Sequence, residues 1–333
     1  MNFNLLLILT FLTGLLLIIS SYAWFSSALD FKIKFFTITA STNTGLFISL
    51  DGQEFSSSID VNVDTVINNL KTYPNHKNRW ASKRLYPASS NGISNSNNST
   101  FDMFKGIVFD YKPNTDRRVI SVELEEELEP TTDSTFIAFD VFFKNVSGSP
   151  KPDNLYLDTG SGVDFANENT DDSNGIINAI RFGVLKINSV PLKSELNLIQ
   201  NMGCNNSCES VIFEPRATNH SNASIQRVKE MGIRLINGTY FPTYAIIKEG
   251  TQLESRSGYQ GTNIALDTEH FKLQNTLINL NTPLIEVPNA ITKARIYVWV
   301  EGQDVDILES ISKGSNISIT LNFRKDLAGY EGY

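Results

Sequence analysis

Thr135-Phe136-Ile137-Ala138-Phe139-Asp140-Val141-Phe142-Phe143-Lys144 is the stretch on which the fold turns. Read as an extended chain, Phe136, Ile137, Ala138, Phe139, Val141, Phe142 and Phe143 make it apolar on nearly both faces, the pattern of a central strand rather than a half-solvated one. Strand-like runs surround it: Met103 to Tyr111 and Val119 to Leu124 before it, then Asn154 to Asp158, Ile176 to Ile187, Val211 to Phe213, Ile291 to Val300 and Asn316 to Phe323 after it. Near the start, Leu29, Phe31, Ile33 and Phe35 alternate with polar residues at a period of two. Asp51-Gly52 between Gly45–Leu50 and Gln53–Phe55 predicts a hairpin with a type I′ turn. Helical signals are few. Val61 to Leu70 fits a short helix capped at Asp64, and Asn222 to Ile233 an amphipathic one capped at Asn222, with Ile225, Val228 and Met231 on one face. The expectation is an all-β, mainly antiparallel, jelly-roll or sandwich-like domain over residues 28–333, with one or two short helices. A subdivision near residues 145–153 is the alternative, because Ser147-Gly148-Ser149-Pro150-Lys151-Pro152 reads equally as a linker or as a loop inside one sandwich. Asn91 to Thr100, rich in Ser and Asn, predicts a surface loop.

Ahead of this domain stands an uncharged apolar segment, Phe3 to Phe25 at its widest and Leu5 to Ile19 at its core. The wide version meets the roughly 20 residues that a membrane span needs. The narrow one fits the h-region of a secretory signal, with small residues at Ser21-x-Ala23. Residues 1–27 therefore read as an N-terminal hydrophobic helix that is either a signal peptide or a retained transmembrane anchor, with Ala23, Trp24 and Phe25 as the candidate processing junction. Both forms put the large domain on the extracellular face of the membrane or, after cleavage, in the medium.

The net charge of −8 removes the basic face that nucleic acid requires. Cys204 and Cys208 are the only cysteines. Their spacing predicts a small disulfide loop in an oxidising compartment, and a metal half-site there lacks a second pair. Asn97, Asn98, Asn145, Asn205, Asn219, Asn222, Asn237 and Asn316 stand in N-x-S/T triplets, read as a mark of polar loops. Three acidic stretches invite a cation: Glu123–Glu129, Asp164–Gly175 and Glu301-Gly302-Gln303-Asp304-Val305-Asp306. The first reads as a charged sheet edge. The second fails as an EF-hand, since aligning Gly175 with the invariant glycine puts Arg181 where a bidentate Glu belongs. The third reads as a turn with solvated carboxylates. No nucleophile elbow, H-E-x-x-H helix or glycine-rich phosphate loop occurs, so the expectation is a non-enzyme without catalytic residues, cofactor, metal or small-molecule substrate.

Tyr22-Ala23-Trp24-Phe25-Ser26, Ile48-Ser49-Leu50-Asp51-Gly52, Leu85-Tyr86-Pro87-Ala88-Ser89-Ser90, Phe136-Ile137-Ala138-Phe139-Asp140 and Val298-Trp299-Val300-Glu301-Gly302-Gln303-Asp304 together resemble a family of uncharacterised surface proteins of Gram-positive bacteria. More distantly, the N-terminal junction alone is similar to that of the TasA/camelysin biofilm-matrix proteins. The resemblance implies a cell-surface or secreted β-sandwich with a structural role, and the reading favoured here is a matrix or filament protein of the bacterial envelope. On that reading Leu29, Phe31, Ile33 and Phe35 form a candidate assembly strand for self-association, against pairing within the chain's own domain. The alternative is a surface adhesin or carbohydrate-binding module using Trp80, Tyr86 or Trp299.

Overall fold

A computed structural model describes residues 29–41, 44–61, 78–79, 84–95, 99–112, 116–125, 133–166, 176–205, 208–230, 235–236, 240–247, 271–307 and 312–326. The hydrophobic segment with Ala23, Trp24 and Phe25, Trp80 and, apart from Val61 at the end of a strand, the Val61–Leu70 helical reading lie outside them, as does most of Asp164–Gly175. Within them the protein is all-β, mostly antiparallel, with two short α-helices.

Three sheets carry the architecture. The first runs in the order β17 (Ile285–Val287), β10 (Asp153–Leu157), β19 (Ser312–Asp326), β1 (Leu29–Ala40), β4 (Arg84–Leu85) and β8 (Asp133–Ser134), with β11 (Gly162–Phe165) also on β19 and β3 (Ser58–Val61) also on β1. The second is β16 (Thr276–Leu277), β13 (Glu209–Phe213), β12 (Ile180–Val190), β18 (Ile291–Val300), β9 (Phe136–Asn145) and β2 (Leu46–Ser49). The third is β15 (Phe271–Leu273), β14 (Tyr244–Ile247), β7 (Asp116–Glu125), β6 (Thr100–Lys112) and β5 (Ala88–Asn95).

The first two sheets share one apolar core. Ile33, Phe36 and Ile38 of β1 and Ile317, Ile319, Leu321 and Phe323 of β19 cluster with Ile137, Phe139, Val141 and Phe143 of β9 and Ala294, Ile296, Val298 and Val300 of β18. Phe36 meets Phe139 edge-on, ring centroids 5.3 Å apart, the orientation that aromatic quadrupoles favour. Residues 146–152 lead from β9 in one sheet to β10 in the other, across this shared core.

The second sheet is buried on its other face as well. Ala88, Phe101 and Met103 of the third sheet pack with Phe136, Ala138, Tyr297 and Trp299. Gly183 of β12 makes room there, since a Cβ would stand 2.7 Å from Phe101. The helix α1 (Leu196–Gln200) covers more of this face through Ile199. β9 is thus the doubly covered strand that its sequence predicts, every residue from Phe136 to Phe143 being buried.

Several local expectations change. Leu29 to Phe35 forms the start of a longer strand, with a register shift against β19 between Ile33 and Phe35; Ile33, Phe36 and Ile38 are buried in the core. The Asp51-Gly52 hairpin closes at the Ile48–Ser56 bridge. Its loop is wider than a type I′ turn, with positive φ at Gly52 but not at Asp51; Asp51 instead accepts bonds from the Gln53 and Glu54 amides. Ala88–Asn95, expected to run into a loop, is a strand whose small residues Ala88, Ser89 and Ser90 are fully buried. Glu123 and Glu125 lie on β7, an interior strand of its sheet rather than an edge. The helix α2 (Asn222–Glu230) is capped by Ser221, whose Oγ accepts from the Ser224 amide at 3.1 Å, so the cap stands one residue before the expected Asn222.

Candidate functional site

Alternation along β18 sends Lys293, Arg295, Tyr297 and Trp299 to the side away from the apolar core. All four are fully buried under the third sheet and α1. Asp140 on β9 stands opposite Arg295, and Arg181 on β12 opposite Trp299. The second face of the central sheet is therefore a row of charge and aromatic rings with no water to solvate it, and each charge must find its partner inside.

In the middle of the row Asp140 Oδ1 accepts from Arg295 Nη1 at 2.7 Å, and Lys293 Nζ stands 3.3 Å from Oδ2. Lys293 also donates to the Gln200 carbonyl at 2.7 Å, which ties α1 to the sheet. Burial pushes the Asp140 carboxyl up, against the pull of Lys293, and pushes Lys293 and Arg295 down. Desolvation is thus the larger influence on the pair.

The end of the row is more crowded. Glu301, Asp304 and Asp306, read from sequence as solvated, are all buried. The Gly302 amide donates to the Ala88 carbonyl at 2.7 Å, bringing β5 down over the turn. Arg181 pairs with Glu214 Oε1 at 2.9 Å, bonds Asp304, and donates to Thr243 Oγ1 at 3.1 Å and the Asn178 carbonyl at 3.1 Å. Glu301 accepts from Trp299 Nε1 at 3.1 Å and Gln274 Nε2 at 2.9 Å. Asp306 accepts from the Ser221 amide at 3.0 Å and lies 2.8 Å from His220 Nδ1, so the turn also anchors the capped end of α2.

Four carboxylates here face one guanidinium and one imidazole. Burial pushes Glu214 up to about 7 and raises Glu301 and Asp304 as well, against the pull of Arg181. His220 is lowered by burial, but its bond to Asp306 and the nearby acids carry it above its ordinary value. Through Glu214 the cluster can hold and exchange a proton near neutrality. Sealed beneath β5, it acts first as an ionic lock on the turn after β18.

The other expected site residues lie elsewhere. Cys204 and Cys208 are disulfide-bonded, Cα atoms 5.4 Å apart. The Cys204 amide donates to Ser99 Oγ at 2.9 Å and the Cys208 carbonyl accepts from Ser94 Oγ at 3.0 Å, so the small loop fastens β13 to the third sheet. Among the described residues no group of three or more His, Cys, Asp or Glu is placed to hold a metal ion. No helix among them is long and apolar enough to cross a membrane. Leu29, Phe31, Ile33 and Phe35 lie in β1, whose register partners on β19 (Ser312, Ser315, Ile317 and Ser318) belong to the same chain. Trp299, offered as an exposed ligand platform, is fully buried; Tyr86 is half-buried. Sequence reasoning missed the ionic row because its members look like solvated charges one at a time. The available signal was the alternation Lys293-x-Arg295-x-Tyr297-x-Trp299, in which a charged half ends in two large aromatics that need cover.

Comparison with protein-family models, with curated proteins and with solved structures gave no match to this chain.

Proposed function

We propose that this chain is an exported structural protein of the bacterial surface or extracellular matrix, held at or released from the membrane through its N-terminal apolar segment and carrying no catalytic site. The observation that supports this reading most is the placement of β1. It follows the processing junction within a few residues and lies inside its sheet, parallel to β19 from Leu29 through Ala40 and antiparallel to β3 and β4. Tension entering at the junction acts along β1, so its ladder hydrogen bonds are sheared together rather than opened one by one. The buried ionic ties behind the core suit the same load-bearing role, because they fix one arrangement of the layers at a cost in desolvation.

Protease shaving of intact cells tests the location: the expected product is a resistant fragment beginning near Leu29, and protein found only in the cytosol overturns the proposal. Self-association through β1 requires exchanging the strand between copies, since its partners are otherwise supplied within the chain. Deleting Leu29 to Phe35 separates the cases. Loss of the folded state, read by circular dichroism, is expected. A folded monomer that no longer associates assigns the strand to assembly instead.

A further inference from the structure

At the opposite end of the sandwich from the ionic row's acidic cluster, three side chains meet without solvent. Asn145 is the last residue of β9, Asp153 the first of β10, and Lys325 the penultimate residue of β19. Asn145 and Asp153 are fully buried, and the Lys325 side chain is 0% exposed. Lys325 Nζ lies 2.6 Å from Asn145 Oδ1 and 2.9 Å from Asp153 Oδ2. Asn145 Nδ2 donates to that same Asp153 oxygen at 2.9 Å and to the Val287 carbonyl at 2.9 Å. The amide orientation is fixed by its neighbours: Oδ1 faces two donors, Lys325 Nζ and the Ser147 amide, and Nδ2 faces two acceptors.

We infer that Lys325 and Asn145 become joined by an intramolecular amide bond, formed with loss of ammonia and promoted by Asp153. An ion pair so completely desolvated is costly, and moving one proton from the ammonium to the carboxylate cancels both charges. That transfer leaves a neutral amine and a carboxylic acid, the reactive forms for acyl transfer. Lys325 Nζ attacks Cγ of Asn145, and the Asp153 acid, bonded to the amide nitrogen, passes its proton to Nδ2 as the tetrahedral carbon collapses. The Cγ–Nδ2 bond breaks and ammonia leaves. The carboxylate recovers a proton from the attacking nitrogen, and ammonia takes it up as ammonium. One C–N bond forms and one breaks; no oxidant, reductant or second substrate enters. Holding nucleophile and amide in contact replaces an encounter in solution, and excluding water removes hydrolysis of Asn145 as the competing path. The product would tie β9 in the second sheet to β19 in the first, closing a loop across a sequence separation of 180. Asn145 is also the one N-x-S/T asparagine standing in this buried triad, where a glycan has no room.

The test is mass spectrometry of the purified full chain after reduction of its disulfide. The expected intact mass is one ammonia below that of the sequence from whichever N-terminus is found. Proteolysis should yield a branched peptide joining the segments that carry Asn145 and Lys325. Recovery of both as unmodified linear peptides overturns the inference, as does an ammonia loss located at another residue. Asp153→Asn should restore the missing ammonia while leaving a folded protein; an Asp153→Asn chain that still cross-links removes Asp153 from the reaction. Should that variant not fold, the wild-type peptide map decides alone.

Discussion

The two faces of the central sheet are buried equally and built oppositely. Toward the first sheet, β9 and β18 present Ile137, Phe139, Val141, Phe143, Ala294, Ile296, Val298 and Val300. Toward the third sheet the same two strands present Asp140, Lys293, Arg295, Tyr297 and Trp299 among apolar neighbours. The apolar face gains from every atom removed from water and tolerates small changes of shape. The charged face gains only where each polar atom meets its partner, so its interactions are all-or-none. One sheet thus combines a forgiving side that supplies stability with an exacting side that fixes which layer lies on it and in what register.

Breaking one partner on the exacting side should produce the largest effect. Asp140→Ala removes the buried carboxylate that faces Arg295 and Lys293 and should cost about 3–5 kcal/mol in denaturant unfolding. Replacing Asp140, Lys293 and Arg295 together by apolar residues of similar volume should recover most of that loss, because the desolvation cost leaves with the charges. A triple variant as unstable as the single one would mean that the ion pairs themselves carry the stability.

A second effect comes from pH. Glu214, raised from 4.5 to about 7, keeps its proton in the folded protein where the unfolded chain has released it. The folded state therefore binds more protons across that window, and stability falls as pH rises through it, on the order of 3 kcal/mol in all. His220 acts in the same sense: its raised folded value favours the native state below 6.5, and that contribution is lost as pH rises through the folded value. Unfolding midpoints measured from about pH 5 to about pH 8 should decline, and Glu214→Gln should flatten the curve. A wild-type curve that rises over this range would show the cluster to be fully ionised.

The smallest effect belongs to the forgiving side. Ile296→Val removes one methylene from the apolar core and should cost about 1 kcal/mol by the same measurement. A loss as large as that of Asp140→Ala would erase the distinction between the faces.

Much of the fold is legible in the residues. The unbroken apolar run of β9, the alternation along β18 and β19 and the periodicity of α2 each follow from local chemistry. What is hidden is cover. Asn91 to Asn95 resemble a loop until they are seen to continue the strand that starts at Ala88, against Trp299. Glu301, Asp304 and Asp306 resemble a solvated turn until β5 closes over them, Arg181 of β12 pairs with Asp304, and His220 and Ser221, just ahead of α2, meet Asp306. Asn145 and Asp153 are near in sequence, but Lys325 joins them from a separation of 172 from Asp153, which no local pattern reports.

The pairing of β1 with β19 also orders events in time. Thr39 and Asn322 share a hydrogen bond across a separation of 283 residues. β1 therefore waits for β19 to be made before its parallel ladder can form. Such long-range closure slows folding, and it leaves β1 without this neighbour until β19 arrives. The first sheet is whole only once β19 stands between β10 and β1.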